Sequence, residues 1–397
     1  MDENTTPPPT QSSSYSPPPS AVPPPPVVPP PPPVIVASAP SPMRKGGRGW
    51  MIVALILLVL LAFSFLSNLG HFARNFVSSG GRRINSSGPR LEEVIIEDND
   101  AANKIAVVDI KGVITSQAVD GSGYNLVDVV KAQLKRADDD DKVKAVILKV
   151  DSPGGEVLAS DEIYRLLTDF QKDAKKPIVA SMGNLAASGG YYVSSPCQWI
   201  VANELTITGS IGVIMHGWNY RGLMDKVGLA PEVYKSGKFK DMLSPDRKPE
   251  DITPEERQMV QHLIDETYAR FKQVVQDGRS QAHQKNKSNS DKGRALAEDW
   301  AKYADGRVLS GKEAYDLGFV DQLGNFQEAV KRAKILAGLG GNANANLIQF
   351  QQRIDFGDFL RMFGKSQAPP VVKLDLGVET PKLQVGQLYF LAPMFAH

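Results

Sequence analysis

Apolar and polar positions divide the chain sharply. Residues 1 to about 42 are mostly Pro, Ser, Thr and Val, with proline runs at Pro23–Pro26 and Pro29–Pro33. Such a segment lacks backbone donors, favours polyproline II and cannot bury enough apolar surface to fold. It is expected to be a disordered tail, serving as a spacer or as a ligand for proline-recognising cytosolic partners. Trp50–Leu66 is then uninterrupted by charge, and extending it to Leu69 supplies roughly the 20 residues needed to cross a hydrocarbon core. This predicts a single-pass transmembrane helix. The long preceding segment and the lack of a small-x-small site after the apolar run argue against a cleaved signal peptide. Arg44, Lys45 and Arg48 before the span are matched by Arg74, Arg82 and Arg83 after it, so flanking charge sets no orientation.

Beyond a polar linker the pattern becomes that of a folded domain starting near Lys104. Strands are predicted at Ile105–Ile110 with Val113–Ile114, at Val143–Val150, at Pro177–Ser181 and at Gln198–Ala202, with another entered through Thr208–Ile214. Helical spacing falls at Leu126–Ala137, Val157–Phe170, Tyr220–Val227, Gly311–Leu317 and Asn325–Leu336. Thr253-Pro254-Glu255-Glu256 supplies an N-cap, Pro at the first helical position and acids in the first turn. It opens a long helix to about Asp277. Asp151–Gly155 reads as a sharp loop, and Lys285–Lys292 as mobile. Leu347–Phe363 reads as an amphipathic stretch. Strand and helix alternate at parallel-sheet intervals, which predicts an α/β core with crossover helices. The expected organisation is a tail (1–48), a transmembrane helix (49–69), a linker (70–103), a folded domain (104–340) and a C-terminal extension (341–397).

Composition narrows the function. Lys and Arg number 45 against 44 Asp and Glu, so no net field favours nucleic acid. Cys197 is the single cysteine, which excludes an intrachain disulfide. The five histidines include no pair at i, i+4 with an intervening Glu, so neither a metal nor a cofactor is expected.

Candidate chemistry centres on Gly183–Val193, where Ser188 stands between alanines and glycines after an apolar run. Small residues there suit either a tight packing turn or a serine presented at the tip of a strand-to-helix turn. A serine nucleophile needs a base. No histidine lies in a recognisable partner motif, whereas Lys235, Lys238 and Lys240 share one loop, and burial can lower a lysine pKa enough to serve. Ser152-Pro153-Gly154-Gly155 at a strand end, and Gly189 after the serine, offer backbone N–H groups for a developing oxyanion.

In combination, Asp151–Gly155, Ser181–Tyr192, Ala202-Asn203, Thr208–Val213 and Lys235–Asp241 resemble the signal peptide peptidase A family, over roughly Ile105–Leu336. The resemblance implies a membrane-bound Ser/Lys protease domain with a ClpP/crotonase-like fold, outside the cytoplasm. It implies Ser188 as nucleophile, Lys240 as general base, Ser210 hydrogen-bonded to that lysine, and Gly155 and Gly189 as the oxyanion donors. Lys238 remains an alternative base. The motifs at 306–314 and 317–321 look like the family's structural closing helices. Only one copy of the fold is present, and short members imply a homo-oligomeric ring in which Ser and Lys of one site come from adjacent chains. The expected activity is hydrolysis of remnant signal peptides or other apolar peptides. A crotonase-like acyl-CoA enzyme and an inactive membrane scaffold are the alternatives. Leu388–Pro393 itself has the properties of an extended apolar substrate: it either packs as a strand on the core, docks in a groove or is trimmed by the enzyme.

Overall fold

The computed structural model describes residues 57, 58, 61, 88–118, 124–287, 292–352 and 387–395. Residues 1–84 and 85–397 form two separate units. In the first, Leu57, Leu58 and Leu61 are helical and exposed. The rest of the expected tail, span and early linker lies outside the described residues. Among the described residues no helix is long and apolar enough to cross a membrane.

The second unit runs, in order, β1 (Leu91–Glu97), β2 (Lys104–Lys111), α1 (Leu126–Asp139), β3 (Val143–Ser152), β4 (Gly154–Glu156), α2 (Val157–Asp173), β5 (Ile178–Ala187), α3 (Gly189–Ser194), β6 (Trp199–Ala202), β7 (Ile207–Gly209), β8 (Ile214–Met215), α4 (Arg221–Lys226), α5 (Pro254–Asn286), β9 (Val308–Ser310), α6 (Gly311–Asp316), β10 (Gln322–Leu323), α7 (Phe326–Leu336), β11 (Asn346–Gln352) and β12 (Leu388–Leu391). Among the described residues one sheet has nine strands, with the path β1-β11-β2-β3-β5-β6-β10 and β7 and β9 attached beside β5. Its central pairings are parallel, while β1 with β11 and β7 with β9 are antiparallel. A second sheet has the order β4-β12-β8. The protein is thus α/β with a mixed, mostly parallel sheet.

Alternation explains the layers. On β2 and β3, Ile105, Val107, Ala145 and Ile147 face a cluster with Ala329, Val330 and Ala333 of α7. Ala106, Val108, Ile110, Val146, Leu148 and Val150 belong to the opposite cluster with α1 and α2. Strands buried on both faces read as continuous apolar runs, as these do. Each fully buried aliphatic side chain contributes about 1.5–3 kcal/mol.

Three expectations need correction. α5 does not stop near Asp277 but continues to Asn286. Gly278 is not a stop signal: a Cβ there would lie 2.5 Å from the Ser195 carbonyl oxygen, so glycine lets the helix pack on that turn. Arg279 in the next position makes a buried ion pair with Asp321. The amphipathic stretch at 347–363 is, over its described part, strand β11, inserted between β1 and β2. Leu347 joins one core cluster and Ile348 and Phe350 the other, a two-faced pattern that the sheet satisfies and a helix does not. The Asp151–Gly155 loop is a break at Pro153 alone, with β3 and β4 on either side. Residues 288–291 lie outside the described residues.

Candidate active site

The strand leading to Ser188 is longer than expected. β6 pairs with β5 only as far as Ser181, after which β7 takes its place beside Leu185–Ala187. The change of partner carries β5 up to Ser188, where φ is 54° and ψ is −117°. Such a backbone costs a non-glycine residue about 1–3 kcal/mol and persists only when its surroundings impose it. Here Ser188 N donates to the Gly209 carbonyl at 2.8 Å, and the Ser188 carbonyl accepts from Tyr192 N at 2.8 Å as α3 begins.

The Ser188 side chain is fully buried, and among the described residues its Oγ has no hydrogen-bond partner. Neighbouring buried serines are satisfied. Ser160, Ser194 and Ser195 donate to the carbonyls of Glu156, Gly190 and Tyr192, and Ser152 Oγ accepts from Gly154 N. An orphaned buried hydroxyl costs about 1–3 kcal/mol, so the one at the strained elbow calls for a chemical explanation.

Backbone donors converge beside it. On β4, Gly154 O accepts from Ile114 N at 2.9 Å and Glu156 N donates to Ile114 O at 2.8 Å. Successive N–H groups of a strand alternate in direction, so Gly155 N–H points the other way, toward β12. A Cβ on Gly189 would stand 3.1 Å from Gly155 N and 3.0 Å from Gly154 Cα. Gly154 has φ +99°, and a Cβ there would stand 2.6 Å from Gly189 N. Glycine at these positions is what lets the two amides approach.

Ser210 also has a positive φ, 51°, and follows Gly209, the residue that anchors Ser188. It is nearly buried and lines a cavity of about 590 Å³ together with Tyr268, Asp305, Leu391 and Pro393. Ser188, Ser210, Gly155 and Gly189 are therefore brought together by β4, β5 and β7. Lys240 makes no hydrogen bond to Ser188 within this chain. It lies exposed in a turn, its N–H donating to Gly237 O at 3.4 Å. Lys235 pairs with Asp241 at 2.6 Å, and Lys238 pairs with Glu255 at 2.5 Å while lying over the Phe239 ring. Among the described residues Lys240 is the lysine of this loop without an ion pair.

The segment Leu388–Pro393 becomes β12, antiparallel to both β4 and β8. Phe390 is opposite Gly155 and Leu391 opposite Gly154. The Phe390 ring is buried against Tyr192 and Phe271, with centroids 4.8 and 4.6 Å away. The expectation of a strand packed on the core is met, and the strand lies directly over the candidate site. A residue unremarked in the sequence, Glu156, sits beneath it with its carboxylate buried. The only signal for it was an acid standing between Gly-Gly and an apolar helix.

Residues 170–340 match the model of peptidase family S49. A Synechocystis sp. protein named as a protease is 40% identical over 59% of this chain and 75% of its own length. An Enterococcus faecium protein named as a signal peptide peptidase SppA is 35% identical over 72% of this chain and 80% of its own. A Methanocaldococcus jannaschii protein named as a protease is 33% identical over 76% and 84%. Among solved structures, a membrane-bound stomatin-specific protease matches at a TM-score of 0.39 and 15% identity, over 64% of this chain and 100% of that one. With relatives at this identity matched over most of their length, the chain belongs to peptidase family S49, the signal peptide peptidase A family of serine peptidases.

Proposed function

We propose that this protein is a membrane-anchored Ser/Lys endopeptidase with a ClpP/crotonase-like domain, which hydrolyses extended apolar peptides such as remnant signal peptides. The observation that carries the reading is the orphaned, buried Ser188 hydroxyl on a strained elbow, next to the point where the Gly189 backbone closely approaches Gly154 and Gly155. Ser188 Oγ attacks the scissile carbonyl and passes its proton to a neutral lysine. The oxyanion formed accepts hydrogen bonds from Gly155 N–H and Gly189 N–H, the latter at the start of α3. Collapse expels the amine, which takes its proton from the lysine ammonium. Water then hydrolyses the acyl-enzyme, with the lysine again taking a proton.

Lys240 is the proposed base, delivered from an adjacent copy in a ring and hydrogen-bonded there by Ser210. Two features support this. Among the described residues Lys240 has no ion-pair partner, whereas Lys238 is engaged by Glu255. The segment leading to it is also unusually apolar at the surface: Trp218, Leu223, Val227, Leu229, Val233 and Tyr234 are all more than half exposed, and α4 buries nothing. Contiguous apolar exposure of this kind marks an interaction surface. The ring, the single transmembrane span at 49–69, the extracytoplasmic side, and the proline-recognising partner of the tail stand as parts of this proposal. The limits 104 and 340 do not bound the folded domain, since β1 (Leu91–Glu97) and β11 (Asn346–Gln352) lie within the same nine-stranded sheet. Ser188→Ala and Lys240→Ala should each abolish hydrolysis of an apolar peptide while leaving assembly intact, and hydrolysis retained in either variant overturns the assignment. A fluorophosphonate probe should label Ser188, and failure to label would favour an inactive scaffold.

A further inference from the structure

β4 is three residues long, and a strand that short does not hold its own position to the few tenths of an ångström that an oxyanion donor demands. On one side it is covered by β12. On the other, a single strap, Ile114–Ser116, lies along it through the two Ile114 backbone hydrogen bonds. A Cβ on Gly155 would stand 2.0 Å from Ile114 O, so the strap is in the closest possible contact with the donor residue itself. What fastens the strap is the Glu156 carboxylate. Its Oε1 accepts from Thr115 Oγ1 at 2.8 Å, and its Oε2 accepts from Ser116 N at 2.9 Å and from Ser116 Oγ at 2.5 Å. Charge-assisted hydrogen bonds to an ionised carboxylate are roughly twice as strong as neutral ones. Burial alone would raise the Glu156 pKa, but the donors on Ser116 and Thr115, with Gln387 at the head of β12, outweigh it and hold the group ionised.

We infer that Glu156 is a positioning residue for peptide hydrolysis: by clamping Thr115 and Ser116 it fixes the strap against β4 and so fixes where the Gly155 N–H points. The inference rests on the proposed roles of Ser188 and Gly155. Glu156 touches no reacting atom; it acts through Ile114 and the β4 backbone. The register of β4 with β12 places Tyr389 opposite Glu156, so the clamp sits beside the segment lying in the groove.

The test is steady-state hydrolysis of an extended apolar fluorogenic peptide by the full-length protein, with kcat referred to folded protein by circular dichroism. Glu156→Ala should lower kcat by about 10- to 100-fold, in the range of losing or misplacing one oxyanion donor, with KM within about threefold. Ser116→Ala, which leaves Glu156 in place and is the safer variant for folding, should lower kcat several-fold in the same pattern. Glu156→Gln should recover most of the activity, because its side-chain oxygen still accepts and the Ser and Thr hydroxyls can rotate to meet the amide. If Glu156→Ala fails to fold, Ser116→Ala decides. A kcat within twofold of wild type in Ser116→Ala and in folded Glu156→Ala, with Ser188→Ala inactive, overturns the inference alone. Hydrolysis retained by Ser188→Ala overturns the underlying reading instead.

Discussion

Phe390 stands opposite Gly155 in antiparallel register, so the strand near the C-terminus lies along the strand that the Gly189 backbone closely approaches. β8 flanks β12 on the other side. An extended segment in this position is bound through its backbone on both edges, while alternate side chains sort by face. Phe390 sinks onto Tyr192 and Phe271, whereas Tyr389 and Leu391 form a separate cluster with Ile214 and Phe395. This is strand addition, the mode in which main-chain hydrogen bonds give affinity and alternate pockets give specificity.

If β12 holds the place of substrate, the two compete. Ending the chain after Gly386 should lower KM for an extended apolar peptide several-fold, with kcat changed less. An unchanged KM would show that β12 occupies a place substrate never takes. Mass spectrometry of wild-type and Ser188→Ala protein separates docking from trimming, since the same intact C-terminus in both leaves docking alone.

Among the described residues nothing hydrogen-bonds the Ser188 hydroxyl, and Lys240 is exposed in a turn; the proposed dyad then draws its lysine from an adjacent copy. Inactive Ser188→Ala and Lys240→Ala proteins should therefore complement each other when co-assembled. In a closed ring with head-to-tail interfaces, an equal random mixture should regain about a quarter of wild-type activity, because a working site needs an intact Ser from one variant beside an intact Lys from the other. No recovery in co-refolded mixtures would place both groups in one chain and remove the shared-site reading.

Much of this arrangement was legible in the residues. Parallel strands buried on both faces produce unbroken apolar runs, which is why β2, β3 and β6 are found close to their bounds. Ser188, Gly155 and Gly189 stand out because a backbone that must approach another closely excludes side-chain bulk. What was not legible depends on distant partners. Whether Gly278 ends a helix or allows its packing is settled by the Ser195 carbonyl, 83 residues earlier in the chain. Whether Leu347–Gln352 forms a strand is settled by the open edge of β2. Lys238 and Lys240 look alike in sequence, and it is the fold that gives Lys238 the Glu255 carboxylate and the Phe239 ring as partners. Glu156 shows its use only when Thr115 and Ser116, some 40 residues away, are folded onto it.

Adding one methyl group at Gly189 probes the approach of the two amides directly. Its Cβ would meet Ser160 Oγ at 2.8 Å, Gly154 Cα at 3.0 Å and Gly155 N at 3.1 Å, and the last two are backbone atoms that cannot rotate away. Gly189→Ala should lose about 10²-fold or more in kcat, comparable to removing an oxyanion donor, and overpacking should lower stability by about 1–3 kcal/mol. Activity and melting temperature both near wild type would mean that β4 can move freely, and the clamp attributed to Glu156 would lose its purpose.

Helix α3 is held from its far end by Asp161, which accepts from the Tyr192 hydroxyl at 2.7 Å, from Arg165 at 2.7 Å and from Arg270 of α5 at 3.2 Å. Burial pushes the Asp161 pKa up, but the Tyr192, Arg165 and Arg270 donors outweigh it and leave the pKa below the ordinary carboxylate value. For a carboxylate whose folded pKa is depressed, the stabilisation is fully present above its unfolded pKa, near 4, and is lost as pH falls through the folded value. The melting temperature of the wild-type protein should therefore fall, as pH drops below about 4, by more than that of Asp161→Asn, whose side chain has no proton to take up. The variant should be less stable than wild type at pH 7, and the difference should narrow as the pH is lowered below about 4. Parallel melting curves across that range would show that Asp161 carries no net linkage, and the tie between α3 and α5 would then rest on the packing of Tyr192, Phe271 and Phe390.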